Sequence, residues 1–211
     1  MGKVAMLLLL VMLGLVLVAG ACGVSRYNSL VGLGQAVDAQ WAQVENVYQR
    51  RADLIPNLVA TVKGAANFEQ STLSAVTEAR ASVGKVQISG KELLDNPQAF
   101  AQWQQAQSGL SGALSRLMAV AEAYPDLKAT ANFRDLQAQL EGTENRISVE
   151  RMRFNETAQA YNTARLSFPT NVVANFMGFR DKPYFKAAEG AEQAPKVEFN
   201  FGATPAPAPV H

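Results

Sequence analysis

The sequence predicts an all-α protein, an antiparallel four-helix bundle with two long and two shorter helices that follows an N-terminal membrane segment. Apolar residues recur at alternating spacings of four and three over long stretches, which is typical of helices that pack against other helices. Aromatic residues make up only 8% of the 211 residues. Stretches that alternate apolar and polar residues are scarce, so strands are not expected.

The N-terminal segment, residues 1–24, carries a single positive charge at Lys3, an apolar run from Val4 to Val18, and then Ala19-Gly20-Ala21 before Cys22. One interpretation is a lipoprotein signal, in which Cys22 is lipidated and becomes the new N-terminus. A second is an uncleaved membrane-spanning helix, since Val4 to Val24 is about long enough to cross a bilayer. A third is an ordinary signal peptide that releases a soluble product.

The first two interpretations attach the protein to a membrane. Lys3 predicts that the short start stays in the cytoplasm, which places the remaining chain on the extracytoplasmic face, in the periplasm or at the cell surface.

The helical domain is expected over residues 27–186. Its first helix is predicted from about Ser29 to Ala66, with a kink at Pro56, which removes one backbone hydrogen bond and clashes with the preceding turn. Its second is predicted from about Glu69 to Val86, followed by a loop at Ser89-Gly90. The first helix has a seam whose apolar character only Arg51 breaks: Val37, Trp41, Val44, Tyr48, Arg51, Ile55, Leu58 and Val62.

The third helix is predicted to begin at Asp95 or Asn96 before Pro97, since a short polar side chain caps and proline suits the first turn. It ends at a turn, Tyr124-Pro125-Asp126. The fourth runs from Thr130 or Asn132 to about Phe168. Its seam contains Phe133, Leu136, Leu140, Thr143, Ile147, Glu150, Phe154, Thr157 and Tyr161. A short amphipathic piece follows, and residues 187–211 are expected to be a disordered Ala- and Pro-rich tail, in which Val197–Phe201 alternates like a strand.

Composition argues against several classes of function. The 19 basic and 18 acidic side chains offer no basic face for nucleic acid. The single histidine is His211, so neither a catalytic imidazole nor a histidine-based metal site is expected. No glycine motif for nucleotides is present. The sequence therefore predicts a protein that is not an enzyme and has no cofactor and no small-molecule substrate.

Charged residues cluster midway along the two long helices and form a candidate charge belt, which has either a structural role or a role in partner binding. Arg51 and Glu150 lie on the predicted seams, so we expect them to form a paired interior network that fixes the register of the two helices. Arg146 and Arg153 are expected on solvated faces, as is Arg50. The belt comprises Arg50, Arg51, Asp53, Glu144, Glu150 and Arg151.

Extended strings in the chain resemble the LemA family. They are Tyr27–Val31, Trp41–Glu45, Tyr48–Val59, Phe133–Ile147, Tyr161-Asn162 with Phe168-Pro169, Met177–Phe179 and Lys182–Phe185. The resemblance implies a bacterial protein anchored in a membrane by its N-terminus, with an antiparallel helical bundle outside the cytosol. It implies no reaction, and some members of the family are linked to membrane shaping. Where the family often has a second Tyr-Asn pair, this chain has Phe154-Asn155.

We therefore expect a non-enzymatic scaffold or membrane-organising protein of the bacterial envelope that contacts copies of itself or an envelope protein. The alternative is a binding module that recruits a protein partner, for example a protease or a transporter, to the membrane.

Overall fold

Helices account for the secondary structure in a computed structural model that describes residues 2–65, 68–85 and 90–186; these residues contain no strand. The helices are α1 (Gly2–Lys63), α2 (Gln70–Lys85), α3 (Gly90–Asp95), α4 (Pro97–Ala121), α5 (Pro125–Ala129), α6 (Ala131–Leu166) and α7 (Thr170–Met177). The predicted all-α class is confirmed, and α1, α2, α4 and α6 correspond to the four predicted helices. The predicted tail and its strand-like stretch lie outside the described residues.

Three predicted boundaries are wrong. Helix α1 begins at Gly2 rather than near Ser29, because the apolar segment is itself helical and continues into the domain. Gly90, expected in a loop, begins α3, which buries Leu93 and Leu94. The expected turn after Tyr124 is the start of α5, which has Pro125 in its first turn.

Helix α1 continues through Pro56 because the missing hydrogen bond is replaced from outside the helix. Proline cannot donate to the carbonyl four residues earlier, which is that of Ala52. The Nε atom of Arg80 on α2 donates to this carbonyl oxygen at 3.3 Å. Pro56 itself lies on the exposed side of α1.

Local signals explain where two other helices begin and where α7 ends. The side chain of Asn96 accepts hydrogen bonds from the backbone amides of Gln98 and Ala99, both at 3.1 Å, at the start of α4. The Thr130 hydroxyl accepts from the Phe133 amide at the start of α6. Helix α7 ends at Gly178, whose φ of 75° is a left-handed conformation that suits glycine.

The core has two apolar halves. One half contains Leu30, Trp41, Phe100, Phe154 and Phe185, and the other contains Ile55, Leu73, Leu117, Phe133 and Leu140. All eight predicted seam positions of α1 are buried. On α6 two predicted seam positions are wrong, since Glu150 is only partly buried and Ala158 is buried in place of Thr157. The buried positions drift because 3.6 residues per turn do not divide evenly into a repeat of seven.

Contacts between α1 and α6 are the most extensive in the molecule, followed by those between α2 and α4. Trp41 on α1 contacts Phe154 on α6, and Arg51, ten residues further along α1, contacts Glu144, ten residues earlier on α6. Helix α7 packs against both α1 and α6.

Candidate functional site

A polar layer of four residues separates the two apolar halves of the core. It comprises Arg51 on α1, Gln107 and Ser111 on α4, and Glu144 on α6. Arg51, Gln107 and Glu144 each lie on their helix between residues of one apolar half and residues of the other, and Ser111 lies one turn after Gln107. Three helices thus contribute polar groups at the same height.

Arg51 is the centre of this layer, and its side chain is only 1% exposed. Its NH1 atom donates to Ser111 Oγ at 2.6 Å and to Glu144 Oε1 at 2.8 Å. Its NH2 atom donates to the side-chain and backbone oxygens of Gln107. The guanidinium carbon also lies 4.9 Å from the centre of the Tyr48 ring, a cation–π contact. Four acceptors and a ring therefore surround this buried charge. Such partners are needed because a charge removed from water is costly unless it is paired and hydrogen-bonded.

The predicted pairing of Arg51 with Glu150 is wrong. Glu150 instead accepts hydrogen bonds from Gln40 at 2.7 Å and Arg153 at 3.0 Å. The six residues that separate Glu144 from Glu150 span about 9 Å along a helix, which is beyond the reach of the same guanidinium. Seam patterns identified the buried arginine but could not set the register between α1 and α6.

The remaining residues of the candidate charge belt do not join the polar layer. Arg50 is exposed, and Asp53 is exposed and accepts a hydrogen bond from Gln49 at 2.8 Å. Arg151 reaches the segment after α7, where it donates to the backbone carbonyl of Lys186 at 2.9 Å. The belt is thus divided between the polar layer, two exposed residues and two separate contacts.

An aromatic cluster fills the centre of the apolar half that contains Leu30. Trp41 lies 5.1 Å from Trp103, 5.5 Å from Phe154 and 6.1 Å from Phe185, measured between ring centres. Phe100 lies 5.1 Å from Phe185. Phe185 comes from the segment after α7, so the end of the domain completes the core formed by α1, α4 and α6.

Two asparagines of α6 clamp that segment, the C-terminal strap of residues 178–186. Asn155 donates to the carbonyl of Phe185 at 3.0 Å and accepts from its amide at 2.9 Å. Asn162 forms the same pair of hydrogen bonds with Lys182, both at 2.9 Å. Each amide side chain thus satisfies one backbone donor and one backbone acceptor of an extended segment.

Other side chains of α6 extend this clamp along the strap. Arg165 donates to the Phe179 carbonyl at 2.8 Å, and the Tyr161 hydroxyl donates to the Arg180 carbonyl at 3.0 Å. Lys182, which is largely buried, forms an ion pair of 2.7 Å with Asp95 of α3. Side chains, rather than a helix or a sheet, therefore bind the strap backbone at several points along its length.

No sequence pattern predicted that Asn155 and Asn162 bind the strap. A signal was present, because Asn155 and Asn162 are seven residues apart and so share one face of a long helix, where asparagine is otherwise unfavourable. Phe154, which stands where the family often has tyrosine, is fully buried against the aromatic cluster. Asn155 forms the hydrogen bonds to the strap, so this contact does not require the hydroxyl group that a tyrosine at position 154 would have.

Burial in the aromatic cluster raises the pKa of the Tyr48 phenol, although the nearby guanidinium groups of Arg151 and Arg51 act in the opposite direction. The native phenol therefore keeps its proton at pH values where the unfolded chain, with a tyrosine pKa of about 10, loses it. The unfolded state then binds fewer protons than the native state, and the free energy of unfolding falls as pH rises.

We expect the detergent-solubilised protein to lose stability above about pH 10, and this one phenol contributes a slope of at most about 1.4 kcal/mol per pH unit. Tyr48→Phe should lessen this slope and leave stability below pH 9 little changed. Urea unfolding between pH 8 and pH 11, followed by circular dichroism, measures both slopes. Identical slopes for the two proteins would contradict the assignment to Tyr48.

Among the described residues, no group of three or more histidine, cysteine or acidic side chains is arranged to hold a metal ion. In the part of the chain that the structure describes, one helix, α1, is long and apolar enough to cross a membrane, and its most apolar stretch is not buried in the rest of the protein. Cys22 lies on the exposed surface of this helix.

These features place the chain among all-α proteins with an apolar N-terminal helix that suits a membrane. A family model described as the LemA family matches residues 40–199, a range that includes the polar layer, the aromatic cluster and the strap. The chain therefore belongs to the LemA family, as its sequence strings predicted.

Curated relatives include proteins of two names. Magnetosome protein MamQ of Magnetospirillum gryphiswaldense is 30% identical over 175 residues, which cover 76% of this chain and 64% of that protein. Magnetosome protein MamQ 2 of Paramagnetospirillum magneticum is 28% identical over 76% of this chain and 65% of its own length. Protein LemA of Metamycoplasma hominis is 25% identical over 79% of this chain and 71% of its own length. The chain thus spans slightly less than two thirds of the MamQ proteins it matches.

Proposed function

We propose that this chain is a membrane-anchored, non-enzymatic scaffold of the bacterial envelope, in which the apolar part of α1 stays in the bilayer. The observation that carries the proposal is the continuity of α1, which has 62 residues and a length of about 93 Å at 1.5 Å per residue. Its N-terminal part is exposed and apolar, and its C-terminal part lies in the core from Leu30 onward. Anchor and folded domain are therefore one stiff element.

The architecture in this proposal is an antiparallel bundle of α1, α2, α4 and α6. The opposite direction of the contacts from Trp41 to Phe154 and from Arg51 to Glu144 supports it. A core with a polar layer at mid-height would hold such a bundle in one register. Helices held in one register would form a stiff rod, so the far end of the bundle would keep a fixed position relative to the membrane. A scaffold requires such a fixed geometry.

The proposed location of the bundle is the extracytoplasmic face. Lys3 precedes the apolar segment, and a positive charge next to a first spanning helix favours retention of that end in the cytoplasm. Protease added to intact spheroplasts should then digest the bundle. Digestion only after lysis would place the bundle in the cytoplasm and contradict this orientation.

Intact mass of the protein purified from membranes tests the anchor. A chain that retains residues 1–22 supports the spanning helix, and resistance to alkaline extraction supports its insertion. A mass that shows an N-terminal diacylglyceryl-modified Cys22 would replace the span with a lipid anchor. In that case Cys22→Ser should block processing, whereas it should leave the mass of a spanning protein unchanged except for the substitution. Recovery of the wild-type protein in the soluble fraction, with either an intact or a processed N-terminus, would overturn the proposal.

Vesicles containing the full chain test the scaffold. Self-association by crosslinking together with altered vesicle shape supports it, whereas a monomer that leaves vesicles unchanged contradicts it.

A second candidate function, recruitment of a protein partner, is supported by one observation. Gln104 and Arg151 both donate hydrogen bonds to the carbonyl of Lys186, which fixes the position of the last residue before residues 187–211. A stoichiometric crosslinked partner that is lost when these residues are deleted would identify the chain as a binding module.

A further inference from the structure

Apolar side chains point into solvent around α7, at the end of the domain next to the apolar part of α1. Phe176 is 86% exposed and Phe168 is 83% exposed, and Val172 and Met177 are also exposed. Phe168, Val172 and Phe176 follow one another at intervals of four, so the two residues on α7 lie on one face of that helix. The opposite face of α7 is buried through Thr170 and Ala174. Folding of the described residues therefore orders this helix without covering its apolar face.

The position of α7 relative to α1 shows what can cover this face. A groove with an almost entirely apolar lining runs between α1 and α7. Gly23 and Val24 line it on α1, and Val172 and Phe176 line it on α7. The Tyr27 ring on α1 lies 5.7 Å from that of Phe179, just after α7. Helix α7 is thus held beside the last apolar turns of the N-terminal segment.

Distances along α1 set the height of these turns. The stretch from Val4 to Val24 contains no charged residue, and Arg26 is the first charge that follows. At 1.5 Å per residue this stretch is about 30 Å long, which matches the hydrocarbon thickness of a bilayer. When it spans, Val24 lies at the boundary between acyl chains and headgroups, and α7 lies at the same level. Lipid is therefore the apolar material directly available to Phe168 and Phe176.

We propose that α7 together with Phe168 is a second membrane contact, an interfacial helix that lies in the headgroup region with Val172, Phe176 and Phe168 turned toward the acyl chains. The inference rests on the proposed anchorage of α1. It names the surface through which the bundle meets the lipid. Two attachment points, α1 and α7, fix both tilt and rotation of the bundle, whereas a single spanning helix leaves rotation about its own axis unconstrained. The side chains of α7 would also occupy area in only one leaflet.

Depth of a label on Phe176 tests the contact. In a Cys22→Ser background, Phe176→Cys carries an environment-sensitive fluorophore, and the full chain is reconstituted in vesicles of phosphatidylethanolamine and phosphatidylglycerol. Ala138→Cys, on an exposed position of α6 about 42 Å along the helix from Leu166, is the matched control. We expect blue-shifted emission at position 176, and quenching by nitroxide lipids that places the label about 5–10 Å below the headgroup boundary. The label at position 138 should show neither effect.

Two results would overturn the inference. A label at position 176 that is as accessible to aqueous quencher as the control shows that the face does not meet lipid. A label that is shielded from water but unaffected by nitroxide lipids, together with disulfide formation between copies of the unlabelled Phe176→Cys protein, assigns the face to a second copy of the chain. Alkaline extraction of the same vesicles separates these outcomes from failure of the proposed function. A protein that stays in the bilayer with an aqueous label disproves the contact alone, whereas an extracted protein disproves the anchorage.

Discussion

Phe185→Ala is expected to lower the free energy of unfolding by about 3–5 kcal/mol, as truncation of a buried phenylalanine typically does. Phe185 is 6% exposed and contacts the rings of Trp41, Phe100, Trp103 and Phe154. The Arg151 guanidinium also lies 4.7 Å from the centre of its ring. Truncation leaves a cavity at the point where the strap meets three helices, and the strap loses its apolar anchor.

Intrinsic fluorescence gives a direct measurement of this change. The chain has two tryptophans, and both contact Phe185. Loosening of the strap should therefore shift the emission of the folded protein to longer wavelength before unfolding begins. Limited proteolysis should cut within residues 178–186 sooner than in the wild type, because an extended segment is cleaved when it leaves the surface.

Phe176→Ala is the control for size and chemistry, because the same side chain is removed from an exposed position. Its stability in detergent should stay within about 0.5 kcal/mol of the wild type, with unchanged fluorescence. Asn155→Leu removes one of the two clamping asparagines while leaving the aromatic rings in place, and it should also raise the rate of cleavage. If Phe185→Ala is no less stable than Phe176→Ala, the strap is not part of the folded core.

Glu144→Leu is expected to destabilise the protein by about 3 kcal/mol, near the lower end of the range for breaking a buried ion pair. The protein is destabilised because Arg51 stays buried and loses its charged partner. The Nε atom of Arg51 already lacks an acceptor among the described residues. The lower end applies because the Glu144 side chain is 42% exposed, and because Gln107 and Ser111 still accept from the guanidinium.

Arg51→Met should cost less, since methionine fills much of the same volume and the buried charge disappears with its desolvation penalty. Glu144 can then turn toward solvent. The double variant should be less destabilised than the sum of the two single variants, with a coupling of at least about 1 kcal/mol. Urea unfolding of the four proteins in detergent at one pH measures this coupling.

Glu150→Leu with Arg51→Met is the matched control, because Glu150 bonds to Gln40 and Arg153 and not to Arg51. That pair should be additive within about 0.5 kcal/mol. Additivity in the Arg51 and Glu144 cycle, or coupling in the Arg51 and Glu150 cycle, would contradict the register of α1 and α6 described above.

Helix positions and buried faces followed from local patterns. The spacing of apolar residues identified eight of the nine buried positions of α1, all except Leu30, and Asn96 with Pro97 identified the start of α4. These features depend on interactions within one helix or between neighbouring residues, so a single stretch of chain contains them. The short helices α3 and α5 were missed because each is stabilised by one or two leucines that it buries against other elements.

The sequence by itself determined that this protein is helical, that Arg51 is in its core, that its N-terminal segment suits a membrane, and that it resembles the LemA family. Only the tertiary structure decided that Arg51 meets Glu144 rather than Glu150, that Asn155 and Asn162 bind the strap, and that α7 lies beside the end of the apolar segment. The physical reason is that a periodic pattern states which face of a helix is buried, whereas the partner of that face depends on how far one helix is displaced along another. A displacement by one repeat of seven residues, about 10.5 Å, presents an equivalent buried face and replaces every polar contact.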